Sequence, residues 1–434
     1  MAWIKDRAKN QEPFFLYLAT NGDHIPLFVP DQYREPYRHL GLNLASFFGM
    51  IACFDENLGR FETALTEAGL RDNTILVFAT DNGGTVGVWE NFYNAGMRGG
   101  KGELSDGGHR VPCFIRWPGH GGAPRDIDAL TECQDLLPTL IDLCELRAPA
   151  QATFEGASLA GLIRGETLKD RMLVVQFNLI QDAFKKWDCA VLWDKWRLLN
   201  GRELYHVQSD PGQVNDLAAC HPEVVQQMRA HYEAWWKVHE PSMEKAETIS
   251  IGSDQENPVM LGCVDWFTSM TVEQMPVQYQ TGIRQGISWN GSWELFVEKA
   301  GDYEISLRRW PEEAEGAVAG GVAAFVPADT AFASARENEI PLWLKNGHGG
   351  SFPEGKKLAV TTARCAIGSH DLKKTVGMDD KAVVFVVSLT AGKASLKTWF
   401  YDGADNELCG AYYVYVRNAD RLFPAQSGKK VGSS

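Results

Sequence analysis

Two short runs of polar residues in this sequence have the composition of a site for a hard cation. The first is Asn21-Gly22-Asp23-His24, and the second is Asp81-Asn82-Gly83-Gly84. Asp and Asn together offer hard oxygen donors, which suit Ca²⁺ or Mg²⁺ rather than a soft metal. Asp81 and Asn82 are two such donors, whereas Ca²⁺ takes about six to eight oxygens. The composition of Asp-Asn-Gly-Gly is also that of a plain turn. A third run, from Arg98-Gly99-Gly100-Lys101 to Arg110-Val111-Pro112, combines glycines with one lysine. Glycine lets backbone approach a ligand closely, and Lys101 supplies a point charge for an anion. The same pattern fits a surface loop with a solvated lysine, and His24 alone fits an ordinary loop histidine.

The elements that must hold these runs can be read from apolar spacing. Phe14–Thr20 and Thr74–Thr80 are continuous apolar runs, the pattern of strands buried on both faces of a parallel sheet. Each polar run follows one of these strands, and in open α/β sheets ligands sit beyond the carboxyl ends of strands. Between them, apolar residues at steps of three and four predict one long helix over Asn43–Ala68, closed by Gly69. Val111–Trp117 is a third strand candidate. Thr131–Cys144 reads as a helix whose Thr131 and Gln134 have capping-box spacing. Strand, helix, strand in this order predicts an α/β layer with a mostly parallel sheet flanked by helices.

Past about residue 165 the pattern changes. Cys189–Leu199 and Glu203–Val207 read as antiparallel strands, and Pro222–Val238 as a helix rich in aromatics. The polar stretch 240–257 reads as a linker. Beyond it, Ser292–Glu298 and Tyr303–Leu307 alternate around Gly301, the pattern of a hairpin. Ala382–Leu389, Ser395–Phe400 and Ala411–Val416 continue the alternation, as expected of a β-sandwich. Gly316–Gly321 and Gly347–Gly350 read as loops. The expected organisation is an α/β domain over 1–165, an antiparallel sheet with a helix over 166–245, and a sandwich-like β-domain over 258–425.

Composition narrows the partners. The chain of 434 residues has a formal net charge of -14, which argues against a nucleic-acid binder. A single small anion remains compatible, since a few local cations can hold it. The 9 cysteines form no Cys-x-x-Cys pair, so neither a zinc site nor a dense disulfide framework is expected. No apolar run approaches the length of a membrane span, and the N-terminus shows no apolar signal core.

Taken together, the runs carry a resemblance. PFFLYLATNGDHIPLFVP, DENLGRFETALTEAGLRDNTILVFATDNGG and GMRGGKGELSDGGHRVPCFIRWPG, in this order, resemble the formylglycine-dependent sulfatases of the alkaline phosphatase superfamily. GRELYHVQSDPGQVNDLA, Gly201–Ala218, looks like that family's C-terminal subdomain motif. GSWELFVEKAGDYEISLRRWP, Gly291–Pro311, resembles an extra domain of some bacterial arylsulfatase-like proteins. The resemblance implies hydrolysis of sulfate monoesters of aryl or sugar alcohols, with a sulfated small molecule or glycan as partner. Asp81 and Asn82 would be ligands of an active-site Ca²⁺. Lys101 would bind a sulfate oxygen, and His24 would contact the sulfate or help protonate the leaving oxygen. Asp106-Gly107-Gly108 stands where the family usually has Glu-Gly-Gly. The nucleophile of the family is a formylglycine made in a Cys-x-Pro-x-Arg segment, and no cysteine here fits it: Cys220-His221-Pro222-Glu223-Val224 has the proline but not the arginine. The family's early Asp pair is absent too. The sequence therefore reads as starting inside the sulfatase domain, with an incomplete Ca²⁺ site and no activity alone. Full-length relatives in the family are usually exported, and the compartment of this chain stays open. Two other functions fit the same residues. One is a phosphatase or phosphonate hydrolase of the same superfamily, since tetrahedral anions look alike to one lysine and one histidine. The other is a glycan-binding protein, in which Trp289, Trp293, Trp310 and Trp399 would stack on sugar rings or else fill the sandwich core.

Overall fold

In the computed structural model the chain forms two units, one of Met1–Asn178 and Phe184–Met243, the other of Leu179–Ala183 and Glu244–Ser434. The structure describes residues 2–20, 22, 24, 27, 29–84, 93–120, 123–177, 184–243, 248–268, 277, 280–324 and 353–419. The expected loop Gly347–Gly350 lies outside them, as do Asn21 and Asp23 of the first polar run.

The first unit opens with helices α1 (Ala2–Asn10), α2 (Asp31–Arg34) and α3 (Leu42–Glu67). Helix α3 is the long helix that the apolar spacing predicts, and it buries Ala45, Met50, Ala64 and Leu65. Strand β1 (Leu76–Ala79) follows, then the single turn α4 (Asp106–His109) and strand β2 (Cys113–Arg116). The pairing of β1 with β2 is antiparallel, with Leu76 opposite Arg116 and Ala79 opposite Cys113. This corrects the expected parallel pairing, and the reason is the connection. Among the described residues of the connection, 93–112 hold only loops and one helical turn, and not the long helix that usually makes a parallel crossover. The apolar run Phe14–Thr20 is extended but lies in no ladder among the described residues. Phe15 is 75% exposed and Tyr17 82%. Continuous hydrophobicity codes for burial on two faces, and the described residues offer neither cover.

Helices α5 (Leu136–Leu143) and α6 (Ala160–Arg164) lead to a four-stranded antiparallel sheet in the order β3 (Met172–Gln176), β4 (Cys189–Trp193), β5 (Trp196–Leu199), β6 (Glu203–His206). The capping contact before α5 is one position from the expected one: the Glu132 N–H donates to the Asp135 carboxylate at 2.9 Å. The sheet separates two apolar layers. On one face Val191, Leu198 and Leu204 pack against Met228, Tyr232 and Trp236 of helix α7 (Pro222–Met243). On the other face Ala190, Leu192, Leu199 and Tyr205 pack against Leu104, which belongs to the glycine-rich loop. This second layer seats the candidate site.

The second unit is a sandwich. One sheet runs β13 (Val383–Leu389), β10 (Gly301–Arg308), β16 (Tyr413–Asn418), β8 (Val259–Gly262). The other runs β12 (His370–Thr375), β11 (Thr362–Ile367), β14 (Gly392–Tyr401), β9 (Ser292–Val297), β7 (Ile249–Ile251), with β15 (Glu407–Cys409) also on β14. A short helix, α8 (Gln280–Gln285), precedes β9. Trp293, Leu295 and Val297 from one sheet meet Tyr303, Ile305, Leu307 and Phe385 from the other in one core. Two expectations change here. Strands β9 and β10 alternate as predicted but are not a hairpin: β9 pairs with β14 and β10 with β13 and β16, so the chain crosses between sheets. Alternation states which side of a strand is buried, and a crossing keeps both buried sides facing one core. Nor is the stretch 240–257 all linker. Helix α7 continues to Met243, and β7 pairs parallel with β9.

Candidate functional site

Past the end of β1 the chain turns sharply at Asp81-Asn82-Gly83-Gly84. The Asn82 N–H donates to Asp81 Oδ1 at 2.9 Å, and the Asn82 side-chain amide donates to the Gly83 carbonyl at 2.9 Å. These bonds leave the second Asp81 oxygen and the Asn82 amide oxygen for other partners. Asp81 is exposed. As donors the pair fits a hard cation in kind but not in number. Among the described residues no group of three or more His, Cys, Asp or Glu side chains could hold a metal.

This turn is knitted to the glycine-rich loop by backbone. The Gly83 N–H donates to the Gly108 carbonyl at 3.0 Å, and the Lys101 N–H donates to the Gly84 carbonyl at 2.9 Å. The approach is so close that a Cβ on Gly83 would lie 1.8 Å from the Gly107 oxygen. A Cβ on Gly108 would lie 2.1 Å from the Glu103 oxygen. Backbone at that distance cannot yield to a side chain, so these glycines are fixed by contact. The Asn94 side chain closes the loop, donating to the Gly99 carbonyl at 2.7 Å. Lys101 thus sits beside the Asp81–Asn82 turn with its side chain exposed. His24 is not part of these bonds. It lies on an exposed bend, and Gly22 nearby packs against Phe54 of α3, where a Cβ would meet the ring at 3.3 Å. Phe54 in turn lies 5.8 Å from the ring of Phe78 on β1.

Beneath the loop is a polar brace that sequence reasoning missed. Asp106 is 1% exposed and accepts from Arg197 Nε on β5 at 2.7 Å. Its N–H donates to the Gln213 side-chain oxygen at 2.8 Å. Arg110 approaches its other oxygen at 3.7 Å. A second contact runs from Arg98, which donates to the Tyr205 hydroxyl at 3.1 Å and to the Gln213 carbonyl at 3.3 Å. The Tyr205 hydroxyl donates onward to Glu203 at 2.7 Å. The bond to Tyr205 and the charge of Glu203 raise the Arg98 pKa, while burial and then Glu203 raise that of the Tyr205 phenol. His109 is held between loop and sheet, 3.1 Å from the Leu104 carbonyl. Burial lowers its pKa, and the Asp106 charge opposes this only in part. Glu203 and Tyr205 belong to the Gly201–Ala218 motif, and their bonds to the loop through Arg98 give that motif a physical task. The one signal in the sequence was the co-occurrence of the motif with the loop.

The sulfatase family model matches residues 1–146. An N-acetylgalactosamine-6-O-sulfatase of Bacteroides thetaiotaomicron is 30% identical over 243 residues, covering 50% of this chain and 46% of that protein. Human arylsulfatase A is 32% identical over 163 residues, covering 37% of this chain and 31% of that protein. The chain spans less than half the length of either relative. Among solved structures, the PsFucS1 sulfatase from Pseudoalteromonas sp. aligns with a TM-score of 0.45 and 18% identity, over 56% of this chain and 52% of that one.

Proposed function

We propose that this chain, whose residues 1–146 match the sulfatase family model, carries the sulfate-binding side of a sulfuric ester hydrolase acting on sulfate monoesters of aryl or sugar alcohols. The observation that carries the reading is the backbone link between the Asp81–Asn82 turn and Lys101, through Gly84 and Gly108. It sets one exposed cation beside two oxygen donors. In this reading the Lys101 ammonium takes a sulfate oxygen, and His24 meets the sulfate or the leaving oxygen. Asp81 and Asn82 give two of the ligands of a Ca²⁺ ion, which when bound would neutralise the anion. The rest of that ligand set is not among these residues, so no step is assigned to the metal. Nor does any of the 9 cysteines stand in a Cys-x-Pro-x-Arg segment from which formylglycine is made. The role assigned to these residues is therefore to bind and orient sulfate, and not to attack sulfur. The names of the two relatives, an amino-sugar sulfatase and an arylsulfatase, support sugar and aryl sulfates as the substrate class.

The test is calorimetric titration of the purified chain with nitrocatechol sulfate, with and without Ca²⁺, followed by an assay for release of nitrocatechol. Lys101→Ala is expected to weaken binding by about tenfold or more, the worth of one hydrogen bond to a charged group. Release is expected to stay at background. Equal binding by Lys101→Ala would remove Lys101 from the site. Turnover by the chain that vanishes in Lys101→Ala would show that a residue read here as structural is the nucleophile.

A further inference from the structure

We infer that the outer face of the six-stranded sheet in the second unit is a binding surface for a sulfated oligosaccharide, centred on Trp399 and Tyr401 of β14. The inference does not depend on the hydrolase reading. Of the four tryptophans that the sequence offers for sugar stacking, Trp293 and Trp310 fill the core and Trp289 packs against it. Trp399 does neither. It alternates with Thr398 and Phe400, both buried, and so stands on the opposite face of β14.

Register fixes what stands around it. Arg364 on β11 is opposite Trp399, and Lys373 on β12 is opposite Arg364, so the three form a row across the sheet. Thr362 is opposite Tyr401, and Ala366 is opposite Lys397. The Arg364 guanidinium lies 4.4 Å from the Trp399 ring centroid, and Lys397 Nζ lies 5.5 Å from it. Lys373 Nζ lies 5.0 Å from the Tyr401 centroid. Asp371 fixes Arg364 through two bonds of 2.7 and 2.6 Å, and Asp405 lies 3.5 Å from Lys373. Lys393 and Lys397 continue the same face along β14 with Ser395 between them, and all three are exposed. Among the described residues neither lysine is in an ion pair with a carboxylate.

Two half-buried aromatic rings and four cations share this face with Asp371, Asp405 and Glu294, which accepts from Ser395 at 2.8 Å, in a chain whose net charge is -14. Ring faces suit the C–H surface of a pyranose, as they suit other apolar bodies with a polar rim. Lysines with no carboxylate partner suit sulfate groups at its edge. Lys393 and Lys397 are four residues apart on one strand, about 13 Å at the usual rise. A ligand that meets both must therefore be a chain of sugars, not a single one. The competing explanation is that the cationic side chains only cover the rings with their stems, and the two explanations differ in whether sulfate is recognised.

Affinity electrophoresis of the full chain in native gels separates them, with chondroitin sulfate, desulfated chondroitin or polyglutamate in the gel. Chondroitin sulfate is expected to retard the chain, and the other two polymers much less. The double variant K393E/K397E is expected to weaken retardation by at least about tenfold, and Trp399→Ala to weaken it as well. Since both lysines are exposed, the double variant keeps the core intact even if Trp399→Ala perturbs it. Retardation that is lost in Lys101→Ala but kept in K393E/K397E would place the binding at the candidate site of the first unit and overturn the inference. No retardation by chondroitin sulfate would overturn the inference. So would equal retardation by polyglutamate, which would mark mere ion exchange, or an unaltered K393E/K397E variant.

Discussion

Replacing Asp106 by alanine should loosen the glycine-rich loop far more than its surface position in the sequence implies. Asp106 is 1% exposed and Arg197 6%, so their 2.7 Å contact is a buried ion pair. Removing one partner of such a pair costs roughly 3–5 kcal/mol, because the other charge is left without compensation. Here the lower end applies. Arg197 keeps the carbonyls of Asp194 and Trp196, each at 2.9 Å, and these still satisfy part of the guanidinium. A loss of about 3 kcal/mol in local stability corresponds to roughly 150-fold faster opening in hydrogen exchange. The assay is exchange measured on peptides that cover 98–110 and 196–206. These two stretches should lose protection together, while the second unit keeps its own. Adding Arg197→Met to Asp106→Ala should recover most of the protection, since removing both charges leaves neither unpaired. If Asp106→Ala changes exchange in these peptides by less than about threefold, the pair does not hold loop to sheet and the brace has been misread.

Two further outcomes follow from the same unit. Burial lowers the His109 pKa, so the folded loop holds a neutral ring and unfolding takes up a proton below about pH 6.5. The loop's stability should therefore be complete above that pH and fall as the pH drops below it, before the range where Asp135, its pKa lowered by Arg171 against the effect of burial, loses its contribution. His231 on α7 is lowered by burial too, so exchange of the 98–110 peptides is the readout, and His109→Gln should flatten it. Phe15 and Tyr17, at 75% and 82% exposed, alternate with Leu16 and Leu18, which line a cleft of about 380 Å³ together with Trp3, Ile4, Asn57, Arg60 and Phe61. Contiguous apolar surface of this kind promotes association; sedimentation should show the chain self-associating and the Phe15→Ser, Tyr17→Ser double variant doing so less, and a monomer before substitution would refute this.

Elements set by local periodicity were legible in the sequence, and pairings were not. The three-and-four spacing from Leu44 to Leu65 gives α3 almost to the residue, because a helix satisfies its own backbone and needs only one buried stripe. Strands leave their bonds to a neighbour that the sequence does not name. So β9 and β10 were recognised as strands, with the right sides buried, yet assigned to one hairpin when they belong to two sheets. For the same reason Phe14–Thr20 has a strand's composition without a ladder. The tryptophans of the second unit were ambiguous because alternation allows either face. The burial of Trp293, and of Thr398 and Phe400 on either side of Trp399, separates the two.

At the candidate site the legible part was composition and the illegible part was support. Asp81, Asn82 and Lys101 were found because a Gly-rich turn and loop place unusual residues at short spacing. The brace joins residues far apart: Arg98 meets Tyr205 107 positions away, and Asp106 meets Arg197 91 positions away. No periodicity encodes such a contact. The consequence bears on what counts as the site. Lys101 is exposed and fixed only through its backbone, so its position is that of the loop. The loop in turn rests on Leu104 in the apolar layer of β4–β6 and on the bonds to Arg197, Tyr205 and Gln213. The small antiparallel sheet is thus part of what positions Lys101 rather than an appendage to the loop. Its family motif sits where a shift of β6 would move the loop. The family's Glu-Gly-Gly and this chain's Asp106-Gly107-Gly108 differ at the residue that reaches Arg197. A longer acid there has to reach Arg197 from beside glycines already in contact with backbone at Gly83, Gly99 and Glu103.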